Sequence, residues 1–95
     1  MRVTVRSALN IAQALGGRSI QVSLDAGADI SGLLSRLIED FGEPFRECVY
    51  HPDGSPKDGY FWIQLNGCSI LALQGFASKL SEGDDVLILP AISGG

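Results

Sequence analysis

Between Asp29 and Gly42, apolar side chains recur at three- and four-residue intervals: Ile30, Leu33, Leu34, Leu37, Ile38 and Phe41. Ser35, Arg36, Glu39 and Asp40 fall mostly on the other side. That period predicts one amphipathic helix, capped by Asp29 and ended by Gly42 and Pro44. A helix with a single apolar stripe needs a second apolar surface to cover it, and the preceding residues supply one. Val3 and Val5 alternate with Arg2, Thr4 and Arg6, and Ile20, Val22 and Leu24 alternate with Ser19, Gln21 and Ser23. This is the period of two expected of half-buried strands. Their nearness predicts an antiparallel pair, joined through a compact connection over Ser7 to Leu15 with room for one helical turn before Gly16-Gly17. The expected architecture is therefore α+β, with a sheet packed on one main helix.

In the second half, Phe45 to Leu65 reads as another hairpin. Cys48-Val49-Tyr50 leads into a Pro- and Gly-rich loop from His51 to Gly59, and Tyr60 to Leu65 returns. Phe61, Ile63 and Leu65 share one face of the returning strand, and Trp62 and Gln64 share the other. Trp62 is thus expected on the uncovered side, open to a partner or covered by a cross-strand neighbour. Asn66-Gly67 predicts a tight turn, Ile70 to Phe76 an irregular stretch with apolar anchors, and Glu82-Gly83-Asp84-Asp85 a polar turn that Asp84 can fix. Val86-Leu87-Ile88-Leu89 is apolar at every position. It either lies centrally under cover on both faces or offers Leu87 and Leu89 to something outside. A chain of 95 residues organises a single core, so residues 1–95 are expected to form one domain without linker or repeat.

Composition narrows the function classes. With 45% apolar and 19% charged residues the chain has enough apolar surface to fold alone. Its 7 basic and 11 acidic residues give a net charge of −4, which argues against nucleic acid or anionic membrane as partner and favours a basic-grooved protein. The acidic turn fits such a surface or a plain solvated loop. Met1-Arg2-Val3-Thr4-Val5 lacks the apolar core of a signal peptide, and no apolar run is long enough to span a bilayer, so a cytoplasmic location is expected. Cys48 and Cys68 are too far apart for a CxxC pair, and the lone His51 cannot complete a metal set. The expectation is two free thiols and no metal site, with Cys68 a buried small hydrophobe or, following the Asn66-Gly67 turn, an exposed reactive thiol. No acid, base and nucleophile can be assembled into an enzyme, and no phosphate-binding loop is present.

Pro90 cannot donate to a sheet ladder, so it should end the last strand and leave residues 90–95 as a flexible tail. Gly94-Gly95 is the narrowest possible polypeptide, and an enzyme can enclose it in a slot and reach its carboxylate from either side. Together with Asn66-Gly67 after a strand, the turn Leu80-Ser81-Glu82-Gly83-Asp84 and the ending Val86 to Gly95, this tail resembles the ubiquitin-like β-grasp sulfur carriers of the MoaD/ThiS type. Members include the small subunit of molybdopterin synthase and the thiamine sulfur carrier. The likeness spans nearly the whole chain and implies a mixed sheet of four to five strands. Pro90, four residues before Gly94, looks closer to the molybdopterin synthase type, although the stretch from Phe45 to Gly59 is longer than in its best-known members and Ala91 stands where a second proline is common.

The resemblance implies that Gly95 is adenylated and converted to a thiocarboxylate that donates sulfur in molybdopterin biosynthesis. It implies no cofactor bound by this chain, with ATP and magnesium used by a ubiquitin-activating-enzyme-like adenylating protein. The acceptor would be the large subunit of molybdopterin synthase or another sulfur acceptor enzyme. Gly94, Ser93 and Ile92 would thread the partner's channel, Pro90 and Ile92 would set the tail's direction, and Leu87, Leu89 and, less centrally, Trp62 would dock the body. The same chemistry also serves a ubiquitin-like protein modifier, or a carrier for thiamine, cysteine or tRNA thiolation, and a plain β-grasp binding module stands as a third reading.

Overall fold

The alternation at the start of the chain becomes strand β1 (Arg2–Ser7), in which Val3 and Val5 are fully buried while Arg2 and Arg6 are exposed. In the computed structural model, which describes residues 1–91, β1 pairs antiparallel with β2 (Ser19–Ser23), setting Val3 opposite Val22 and Val5 opposite Ile20. Between them lies helix α1 (Leu9–Leu15), longer than the single expected turn because Ile11, Ala12 and Leu15 together bury a complete face. Gly16 ends it at φ 76°, where a residue without Cβ meets no penalty.

Helix α2 (Ile30–Phe41) follows the predicted stripe, and Ile30, Leu33, Leu34 and Leu37 are completely buried. Asp29 caps it as expected, its Oδ1 accepting from the Gly32 N–H at 2.8 Å. The outgoing arm of the expected second hairpin, however, is a helix. Gly42, at φ 76°, ends α2 and immediately opens α3 (Glu43–Val49), with Pro44 in its first turn. Proline lacks only an N–H that has no intrahelical partner there, so Pro44 starts this helix as well as barring continuation of the last. Phe45 and Val49, four residues apart, are both fully buried. What survives of the hairpin is small: a bridge between Tyr50 and Pro56, with the Lys57 N–H donating to Val49 O at 2.9 Å.

The chain returns as β3 (Phe61–Leu65), turns at Asn66-Gly67 with both residues at positive φ, and forms the two-residue β4 (Cys68–Ser69). The irregular stretch consists of two 3-10 turns, Ile70–Ala72 and Gly75–Ala77. Strand β5 (Asp85–Pro90) then enters the middle of the sheet, parallel to β1 and antiparallel to β3, giving the order β2-β1-β5-β3-β4. Among the described residues this is a five-stranded mixed sheet with its helices on one face, the ubiquitin-like β-grasp arrangement. Val86 and Ile88 point into the shared core, which answers the question posed by the all-apolar run: Leu87 and Leu89 face the other way. Among the described residues no helix is long and apolar enough to cross a membrane.

Candidate functional site

The sheet face opposite the helices is assembled by register. Trp62 stands opposite Leu89, Gln64 opposite Leu87, and Arg6 also pairs with Leu87 from the other side. Trp62 is 56% exposed, and Leu87 and Leu89 are partly exposed. Three of the four residues expected to dock a partner therefore form one contiguous apolar cluster on an uncovered surface, and Leu89, the cross-strand neighbour of Trp62, leaves it open.

Pro90 pairs with Phe61 as the last residue of β5, and the Ala91 N–H donates to Tyr60 O at 2.9 Å. The sheet thus holds the first two residues assigned to a flexible tail at 90–95, because the ladder resumes with Ala91 once the proline is passed. Ile92, Ser93, Gly94 and Gly95 lie outside the described residues.

A charged pair borders the cluster. Arg6 donates to Asp85 through Nε at 2.8 Å and Nη2 at 2.7 Å, a two-pronged contact across β1 and β5. The hydrogen bond and charge of Asp85 raise the guanidinium pKa, and the hydrogen bond from Arg6 holds the Asp85 carboxyl below its usual range. Behind the pair, Gln21 Nε2 donates to Thr4 Oγ1 at 2.7 Å. This border is ordered and nearly neutral, so the apolar cluster is the dominant feature of the face.

The acidic turn lies at the start of β5, the opposite end from Pro90, and its carboxylates are engaged inside the molecule. Asp84 accepts from the Ser81 N–H at 2.8 Å and from Asn66 Nδ2 at 3.0 Å, Glu82 accepts from the Arg2 N–H at 3.0 Å, and Asp85 is held by Arg6. Asp84 fixes the turn, as its position suggested. Both cysteines are free. Cys48 is half-buried beside Pro44 O at 3.3 Å, and burial pushes its thiol pKa up. Cys68 is exposed rather than buried: β4 is the edge strand, with no further strand beside it. Among the described residues no cluster of His, Cys, Asp or Glu could hold a metal ion.

Among the described residues four exposed large apolar side chains escaped the sequence patterns: Leu9, Tyr60, and Leu71 and Leu73 in the irregular stretch. Tyr60, 61% exposed, shares the parity of Trp62 and Gln64 along the chain, and that parity was the available signal. Leu9, 62% exposed, lies off the Ile11–Ala12–Leu15 stripe of α1 and adopts φ 55°. An apolar cavity of about 390 Å³ also opens beside β3, lined by Phe61, Ile63, Ile70 and Phe76.

No family model matches the sequence, and no curated protein does. Solved structures do match along the whole chain. The small archaeal modifier protein 1 (SAMP1) of Methanosarcina acetivorans is 26% identical, with a TM-score of 0.79 over 99% of this chain and 96% of that one. A candidate molybdopterin converting factor, subunit 1, from Pyrococcus furiosus is 22% identical, with a TM-score of 0.74 over 97% and 99%. The CysO protein of Amycolatopsis orientalis, solved in complex with BexX, is 20% identical, with a TM-score of 0.74 over 98% and 99%. Strand order, helix placement and this whole-chain correspondence show a ubiquitin-like β-grasp fold, similar to that of ubiquitin-like sulfur carriers and small modifiers.

Proposed function

We propose that this chain is a sulfur carrier whose Gly95 carboxylate is the reacting group and whose open sheet face docks the enzymes that act on it. One observation carries the reading: the apolar cluster joins Trp62 of β3 to Leu87 and Leu89 of β5, the strand whose sequence continues into the Pro90 to Gly95 ending. A carboxylate is a poor electrophile, so the chemistry needs activation. A Gly95 carboxylate oxygen attacks the α-phosphorus of ATP and displaces pyrophosphate. The sulfur of hydrosulfide then attacks the acyl carbon, the bond to the phosphate oxygen breaks, and AMP leaves a thiocarboxylate. The adenylating partner supplies ATP and magnesium. The chain contributes a slim terminus and a rigid body that positions it.

Molybdopterin synthesis is the pathway proposed, on the Leu89-Pro90 to Gly95 ending and the likeness to the P. furiosus subunit. The acceptor is then the large subunit of molybdopterin synthase. Intact-mass measurement of the protein recovered from its host, with its adenylating partner present, is expected to reveal a fraction in which one oxygen has become sulfur. Uniformly unmodified protein contradicts the carrier reading.

A second reading, conjugation of Gly95 to lysines of other proteins, is favoured by the 26% identity to a small archaeal modifier protein. Immunoblotting of host lysate separates the two. A ladder of larger species that disappears on Gly95 deletion supports modification, and a single small band supports a dedicated carrier.

A further inference from the structure

Building on the carrier reading, we propose that Leu9 and Tyr60 form a collar around the root of the terminal segment and seat against an apolar rim at the mouth of the adenylating enzyme's channel. The reach of the chain makes such contact necessary. The Ala91 N–H is tied to Tyr60 O, and Gly95, the reacting residue of the carrier reading, is four residues further along the chain. Fully extended, four residues span at most about 14 Å. A channel that encloses Gly95 must therefore bring its rim close to the end of the sheet where β5 finishes.

Leu9 and Tyr60 flank that end. Ser7, the last residue of β1, is in register with Ile88, and Leu9 opens α1 two residues later, which keeps it near the end of β5 on the β1 side. Phe61 is in register with Pro90, so Tyr60 stands there on the β3 side. Both are more than half exposed. Tyr60 immediately precedes β3, two residues before Trp62. The Tyr60 ring meets His51 edge-on, with centroids 6.0 Å apart, and Lys57 Nζ lies 6.0 Å from its centroid.

The backbone of Leu9 supports the same assignment. Glycine adopts φ 55° freely, whereas leucine is disfavoured there, and this leucine keeps most of its surface in solvent. Neither local conformation nor the core accounts for an apolar side chain at this position. A contact made outside the domain does.

The test is ATP–pyrophosphate exchange catalysed by the purified adenylating protein of the same genome, using wild-type chain, Leu9→Gly, Leu9→Asn and Tyr60→Ser. Each variant is expected to raise the KM for the carrier by about tenfold, the effect of losing one interface anchor, with kcat within about twofold of wild type. Leu9→Gly and Leu9→Asn should melt at or above the wild-type temperature, since both residues tolerate positive φ. Exchange with wild type and unchanged KM in the variants overturns the collar and leaves the carrier reading standing. No exchange with wild type overturns both. A marked fall in melting temperature for both Leu9 variants assigns Leu9 to the fold and also overturns the collar.

Discussion

Ser7 illustrates how much one atom matters in a sheet this small. Its side chain is buried at the end of β1, and among the described residues its hydroxyl has no hydrogen-bond partner. An unpaired buried hydroxyl forfeits its hydration without return, so Ser7→Ala should raise stability by roughly 1 kcal/mol, read as a higher urea midpoint. Asp84 is the opposite case, because its two oxygens accept from Ser81 and Asn66 and tie the β3–β4 turn to the start of β5. That role was legible in the sequence, since Asp before a strand and Asn-Gly after one are both turn signals. The unsatisfied Ser7 was not, because hydrogen-bond partners come from tertiary placement.

The Asp85 carboxyl supplies a pH dependence. Arg6 depresses its folded-state pKa below the ordinary 3.8, so the pair's contribution is complete above that value and is lost as pH falls through the folded pKa. The stability difference between wild type and Asp85→Asn should shrink as pH falls below about 4, measured by urea unfolding at each pH. The pair is exposed, so the difference should also shrink with added salt.

Among the elements, α2 was readable because six apolar residues keep helical spacing over a length no strand would match. Helix α3 was hidden because it offers only Phe45 and Val49 as evidence of period, and Cys48-Val49-Tyr50 carries strand-favouring residues. Fixing the connection between α2 and β3 required knowing that Gly42 serves both helices. Phe45 lies fully buried where α3 meets the core, and Phe45→Ala should cost about 3–5 kcal/mol in chemical denaturation. A loss under about 1 kcal/mol would mean that α3 is only lightly packed. Strand β5 shows a different kind of ambiguity. Its four consecutive apolar residues could not distinguish cover on both faces from one open face until its neighbours in the sheet were known.

At the scale of the whole molecule, one sheet face builds the body and the other presents it. The pairing of Trp62 with Leu89 could not be foreseen, because it depends on the register of β3 against β5 and not on either strand alone. Parity along each strand did supply the residues themselves. Exposed apolar side chains add little to folding and much to association, so Trp62→Ser and Leu87→Ser should weaken binding to the adenylating protein by about tenfold or more while changing the melting temperature by only a few degrees. Calorimetric titration together with thermal unfolding checks both halves of that expectation.

The central claim is that a narrow backbone terminus at Gly95 receives sulfur while the folded body only delivers it. It is tested most directly by incubating the purified chain with its adenylating protein, ATP, magnesium and hydrosulfide, and trapping any thiocarboxylate with an alkylating reagent for mass measurement. The wild-type chain should gain the trapped sulfur, and a variant with a phenylalanine appended after Gly95 should gain none although its fold is unchanged. Equal labelling of the appended variant, with its extra residue still in place, would contradict the account.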